Sequence, residues 1–132
     1  MGHAIPEAFL DLFEKKSIAY LGTIMADGTP QVTPVWIDFD GEHILVNTAV
    51  GRLKDVNMAR RPQVGLTVQD PDNIYRYIAI QGRVVGVVED ADGAHDHINQ
   101  LAWRYDGHDF HFPEGQKRRI YQIRAEKVLT GD

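Results

Sequence analysis

The stretch SIAYLGTIMADGTPQVTPVWIDFDGEHILVNT, residues 17–48, decides the fold class. Two Asp-Gly dipeptides, Asp27-Gly28 and Asp40-Gly41, divide it, and each is a tight-turn signal between β-like runs. Ser17 to Met25 is the first run. Gln31 to Phe39 is the second, with Val35, Ile37 and Phe39 on one face, and Ile44 to Thr48 is the third. Three strands joined by two such turns predict a meander.

Working outward, Pro6 to Glu14 predicts a short amphipathic helix: Ile5, Phe9, Leu12 and Phe13 recur at helical spacing, and Pro6 suits a first turn. Downstream, Arg52 to Arg60 predicts a helix stopped by Pro62, and Val64, Leu66 and Val68 alternate as a fourth strand. Tyr75 to Val88 is a long β-rich run in which Gly82 and Gly86 mark bends or bulges at a barrel corner. Asp90 or Asp92 is expected to cap a helix carrying Ala94, Ile98, Leu101, Ala102 and Tyr105 on one face. Gly107 to Gly115 reads as a loop. Ile120 to Val128 is the last strand, with Ile120, Gln122 and Arg124 on one face and Tyr121, Ile123 and Ala125 on the other. The sum is one mainly β domain over residues 1–132, a barrel of about six antiparallel strands with short peripheral helices. Such a small barrel has little room inside for a large cofactor, so a ligand is expected in a surface groove or at a dimer interface.

Composition narrows the function classes. The 132 residues fit one domain, and 43% apolar with 25% charged residues is a soluble globular balance. The absence of cysteine excludes disulfides, thiolate metal sites and cysteine nucleophiles. No run approaches the ~20 apolar residues of a membrane helix. With no signal-like start at Met1-Gly2-His3, the expected location is cytoplasmic, with no membrane partner. A net charge of −5 argues against a nucleic-acid partner. An anionic ligand would therefore need a local cluster of Lys and Arg.

Thr48-Ala49-Val50-Gly51-Arg52-Leu53-Lys54 supplies such a cluster where a strand ends and a helix begins. A helix N-terminus offers unpaired N–H groups and partial positive charge to a phosphate. Gly51 would let the backbone come close, Thr48 offers a hydroxyl, Arg52 a forked donor and Lys54 a point charge. Spacing alone serves equally well for two solvated helix residues. In Gln31-Val32-Thr33-Pro34-Val35-Trp36, Pro34 interrupts the ladder and would leave backbone groups free for a planar heterocycle, with Trp36 as an aromatic wall. On the residues alone, an ordinary edge strand with Trp36 in the core is the favoured alternative.

His95, His97, His108 and His111 are ligand types, but histidines two apart on a helix face different ways. Surface histidines and no metal site are expected. His108 and His111, with Trp103, Tyr105 and Phe112, form an alternative pocket lining, and Lys117-Arg118-Arg119 reads as a solvated basic run. No residue stands out as a general base, so the catalytic residues stay unassigned.

Leu21-Gly22-Thr23-Ile24, Asp27 to Trp36, Asn47-Thr48, Arg52 to Asn57 and Arg61-Pro62-Gln63-Val64 together resemble the pyridoxamine 5′-phosphate oxidase-like proteins. Within that superfamily they are most similar to the branch of small oxidoreductases using the deazaflavin coenzyme F-420. Tyr75 to Val84 is similar to a further strand of the family. The resemblance covers roughly residues 8–90 and implies a split β-barrel homodimer with cofactor sites at the subunit interface. It implies that Thr48, Gly51, Arg52 and Lys54 bind the cofactor phosphate. It also implies that Gln31, Thr33, Pro34, Val35 and Trp36 line the ring, and that Tyr77 and Gln81 lie near it. The chain lacks a counterpart of the oxidase's C-terminal Arg-and-His substrate motif, which speaks against action on pyridoxamine phosphate. The expected function is F-420-dependent reduction of a small organic substrate by hydride transfer, chemistry that the cofactor itself performs. Lys117 and its neighbours would then meet the cofactor's acidic tail. The alternatives are an FMN-binding oxidase or flavin reductase of the same fold, and a non-catalytic carrier of a flavin or tetrapyrrole-like ligand.

Overall fold

The computed structural model describes residues 4–131. Its elements are a 3-10 helix (Glu7–Phe13), β1 (Ile18–Ile24), β2 (Pro30–Trp36), β3 (Asp38–Phe39), β4 (Ile44–Ala49), α1 (Leu53–Arg60), β5 (Gln63–Gln69), β6 (Tyr77–Val88), α2 (Ala94–Tyr105) and β7 (Arg118–Gly131). The seven strands form one antiparallel sheet in the order β2-β1-β5-β6-β7-β4-β3.

Both Asp-Gly turns form, with Gly28 at φ 89° and Gly41 at φ 95°, a backbone region that glycine enters without steric cost. The expected meander does not. Its second run breaks at Ile37, leaving β2 at one end of the sheet and β3 at the other. The main chain at the break is satisfied from α2: Tyr105 Oη accepts the Ile37 N–H at 3.2 Å, and Arg104 Nη1 donates to the Ile37 carbonyl at 2.8 Å. These bonds replace a ladder that a continuous strand would have supplied. The sheet therefore curls until its two ends are joined by one residue, giving a split barrel with an unladdered seam between β2 and β4.

The interior is filled by alternate strand residues. Leu21, Ile37, Ile44, Val46, Val68, Ile78, Tyr121 and Ile123 are all buried, and the 3-10 helix adds Leu12 and Phe13. Fully burying one such aliphatic or aromatic side chain contributes about 1.5–3 kcal/mol. The Phe13 and Phe39 rings lie 5.5 Å apart at one end. As the glycines predict, β6 shifts register between Gln81 and Gly82 and again between Val84 and Gly86. At Gly82 a Cβ would come within 2.7 Å of Ile123 Cγ2, so close strand approach requires glycine there.

Three expectations change in detail. Pro6 is the N-cap residue of the first helix, lying outside its first turn. Gly93 precedes α2, and neither Asp90 nor Asp92 caps it, because a 3-10 turn over Asp90–Asp92 intervenes. Asp90 Oδ1 instead accepts the Arg118 backbone N–H at 2.7 Å. The last strand starts at Arg118, two residues before Ile120. Among the described residues no helix is long and apolar enough to cross a membrane.

Candidate functional site

A cavity of about 380 Å³ opens in the seam. One wall is Pro34, Val35 and Trp36 of β2; the other is Asn47 and Thr48 of β4. Arg52, Lys54 and Arg118 bring three positive charges to it, and Phe110 reaches in from the loop after α2. The sequence places these cations through three elements: Arg52 is the N-cap of α1, Lys54 is in its first turn, and Arg118 opens β7. Trp36 belongs to the cavity wall and not to the core, and its ring stacks on Tyr105 at 5.0 Å and 6°.

The charges are unbalanced. Among the described residues, none of Arg52, Lys54 and Arg118 has a carboxylate within ion-pair distance. Next along β7, Arg119 points the other way and pairs with Asp55 at 3.1 Å and Glu89 at 2.8 Å. Arg118 is only 6% exposed, and its burial, then the nearby Arg52 charge, pull its guanidinium down to about 10. Burial, then Arg52 and Arg118, lower Lys54 below the usual lysine range. A bound anion would favour all three charged forms. Thr48 Oγ1 is buried with no hydrogen-bond partner, as are Gln31 Oε1 and Thr33 Oγ1 on β2. Leaving such a group unpaired costs about 1–3 kcal/mol, which a phosphate oxygen accepting from Thr48 would offset.

Just before α1, two backbone donors are taken within the turn. The Gly51 N–H donates to Asp55 Oδ2 at 2.8 Å, and the Arg52 N–H goes to the Ala49 carbonyl at 3.3 Å. Gly51 serves the turn through its φ of 95°. Burial would raise the Asp55 carboxyl, but the Gly51 N–H, Tyr121 and Arg119 outweigh it and hold the group below the ordinary range. Asp55 thus anchors the turn that carries Arg52.

Gln31 and Thr33 lie half-buried on β2 without lining the cavity. Tyr77 and Gln81 are not brought to it within one chain: they point from β6 to the outer face of the sheet, where a second, open cavity of about 490 Å³ includes Gln81. Arg118, Asn47, Ile98 and Phe110 are lining residues that the motif reading missed. The parity of Arg118 with Ile120 along β7 is the signal that could have found it. The Phe110 ring lies 5.1 Å from the Arg118 guanidinium. Its loop is tied to α2 by Asn99, whose Oδ1 accepts the Phe110 N–H at 2.8 Å, and by Asp109, which accepts from Trp103 at 2.8 Å.

His97 departs from the expected surface histidines: it is 6% exposed and bonded to Asp38 and Asn47. A smaller cavity of about 330 Å³ is lined in part by His95, Phe110 and Phe112, but not by Trp103, Tyr105, His108 or His111. Among the described residues no group of three His, Asp or Glu is placed to hold a metal ion.

The family model for pyridoxamine 5′-phosphate oxidase matches residues 5–130. A solved F-420 reductase is 34% identical and superposes with a TM-score of 0.81, covering 95% of this chain and 98% of its own. A conserved hypothetical protein from Mycobacterium tuberculosis is 26% identical with a TM-score of 0.76, covering 100% of this chain and 89% of its own. HupZ from Group A Streptococcus, at 16% identity and a TM-score of 0.69 over 96% of this chain and 93% of its own, shares the fold. No curated protein matches the chain. With its family match spanning nearly the whole sequence and its sheet curled into a split barrel, the chain belongs to the pyridoxamine 5′-phosphate oxidase family.

Proposed function

We propose that this protein is a coenzyme F-420-dependent reductase of a small organic substrate, working as a homodimer. One observation carries the proposal: three cations without carboxylate partners among the described residues line one cavity together with Thr48, whose buried hydroxyl has no partner. These residues fit the phosphate of a flavin or deazaflavin. Arg52, Lys54 and Arg118 would supply charge-assisted donors, Thr48 a hydroxyl donor, and Pro34 to Trp36 the wall against the planar ring. When bound, the deazaflavin supplies a two-electron hydride carrier. The chain's own part is to anchor, orient and shield. Among the described residues no Asp, Glu or His lines the cavity, which agrees with chemistry that needs no protein base.

Two features favour the deazaflavin over FMN. Arg118 adds a cation beyond the Arg52–Lys54 pair, suiting a ligand with more than one anionic group. The F-420 reductase is also 34% identical over almost the whole chain.

The homodimer accounts for the outer face of the sheet. There Val32, Gly22, Gly65 and Gln81 fall in one cross-strand row, and Pro34, Tyr20, Thr67, Ala79 and Leu129 in another. Tyr20, Val32 and Leu129 are 45%, 63% and 66% exposed, an apolar rim around a glycine floor that a second copy would cover. Tyr77 and Gln81 would then face the partner's site.

Anaerobic mixing with reduced F-420 or, separately, reduced FMN, against a panel of activated alkenes, tests the function. Substrate-dependent oxidation of reduced F-420 supports it. Turnover with FMN alone moves the protein to the flavin branch, and tight binding without turnover of either makes it a carrier.

A further inference from the structure

A continuous chain of hydrogen-bonded side chains leads from the far side of α2 into the anion site. Arg104 Nη2 donates to Asp38 Oδ1 at 2.7 Å, and Asp38 Oδ2 meets His97 Nε2 at 2.9 Å. His97 Nδ1 lies 3.1 Å from Asn47 Nδ2, and Arg118 Nε donates to Asn47 Oδ1 at 2.9 Å. Asn47 Nδ2 also donates to the Ala94 carbonyl at 2.9 Å.

The two ends of this chain dictate every direction in it. A guanidinium only donates, so the Asn47 oxygen must face Arg118 and its NH₂ must face His97. An ionised carboxylate only accepts. His97 therefore carries its proton on Nε2, toward Asp38, and presents a bare Nδ1 to Asn47. Turning the Asn47 amide over would set NH₂ against the Arg118 N–H and oxygen against the Ala94 carbonyl. Arg118 is held further by Gln116 Oε1, accepting from Nη1 at 3.0 Å, and by the Asn47 carbonyl, accepting from Nη2 at 3.4 Å. Of the five guanidinium N–H groups, one on Nη1 and one on Nη2 are left without an acceptor among the described residues.

We infer that His97 is a positioning residue of the anion site: by fixing the Asn47 amide it holds Arg118 with its two free N–H groups turned to the ligand. This rests on the anion-site reading above. A buried cation needs such a device, because without carboxylate partners its orientation depends on neutral acceptors alone. His97 touches no part of the cavity, so its effect must pass through Arg118.

A double-mutant cycle tests this, with F-420 and FMN affinities read by fluorescence titration and folding by thermal midpoint. His97→Leu is expected to weaken binding about tenfold, the effect of one lost charge-assisted hydrogen bond. His97→Gln, which keeps an acceptor toward Asn47 and a donor toward Asp38, is expected to restore most of it. In an Arg118→Met background, His97→Leu should weaken binding no further. Equal weakening in both backgrounds, or unchanged affinity of His97→Leu, overturns the inference. If Arg118→Met and the Arg52→Ala/Lys54→Ala pair all bind as the wild type does, the anion-site reading falls first and the inference with it. Should His97→Leu fail to fold, ring ¹⁵N shifts of the wild-type protein decide: a bare Nδ1 supports the inference, and a protonated Nδ1 overturns it.

Discussion

Gly51 donates its backbone N–H to Asp55 Oδ2 at 2.8 Å, so α1 carries its own carboxylate at its N-terminus. The same carboxylate accepts from Tyr121 at 2.5 Å and pairs with Arg119 at 3.1 Å, tying α1 to β7 behind the cavity. Asp55 is 2% exposed. The turn presenting Arg52 is therefore set by a buried ionic network.

Removing that charge should loosen the turn. Asp55→Asn is expected to lower stability by about 3 kcal/mol, because it leaves the Arg119 pairing incomplete in a buried network. A urea titration reads this as a lower midpoint at unchanged slope.

Gly51→Ala isolates the backbone contribution at the same turn. Nothing lies within 4 Å of the added Cβ, so the cost is the φ of 95° alone. About 1 kcal/mol is expected, again as a urea midpoint shift.

Acid should loosen the opposite end of the barrel. The backbone N–H of Asp72, then Arg76, then Lys15, hold the Asp70 carboxyl at about 2 against an ordinary 3.8. A depressed folded-state value means stability fully present above the ordinary value and lost as pH falls from there toward 2. Urea midpoints measured between about pH 5 and pH 2 should therefore fall steeply in the wild type. In Asp70→Asn they should start lower and change less.

The outer sheet face gives an oligomeric-state prediction. Val32→Glu with Leu129→Glu places charges on two highly exposed apolar positions of that face. Sedimentation should show a dimer for the wild type and a monomer for the variant. A wild-type monomer would contradict the homodimer.

Much of this architecture is legible in residues 17–48, because strand alternation and Asp-Gly turns are local signals. The break at Ile37 is not local: it depends on Arg104 and Tyr105 arriving from α2, 67 and 68 positions later, to satisfy the backbone groups of one residue. The cation-lined cavity divides the same way. Arg52 and Lys54 stand out beside a strand end, whereas Arg118 hides in a basic triplet that reads as solvated. What buries it is Phe110 and Asn47, brought from distant parts of the chain. His97 follows the same rule: a helix pattern gives its face, but only the fold supplies Asp38 and Asn47 as partners.

The proposal has side-chain cations in the β2–β4 seam holding a deazaflavin. Fluorescence titration of the wild type and of the Arg52→Ala/Lys54→Ala variant with F-420, and separately with FMN, tests it most directly. The wild type is expected to bind F-420 more tightly than FMN, and the variant to lose about a hundredfold in affinity, because two charge-assisted contacts are gone. Binding of neither cofactor by the wild type, or equal affinity of wild type and variant, would contradict it.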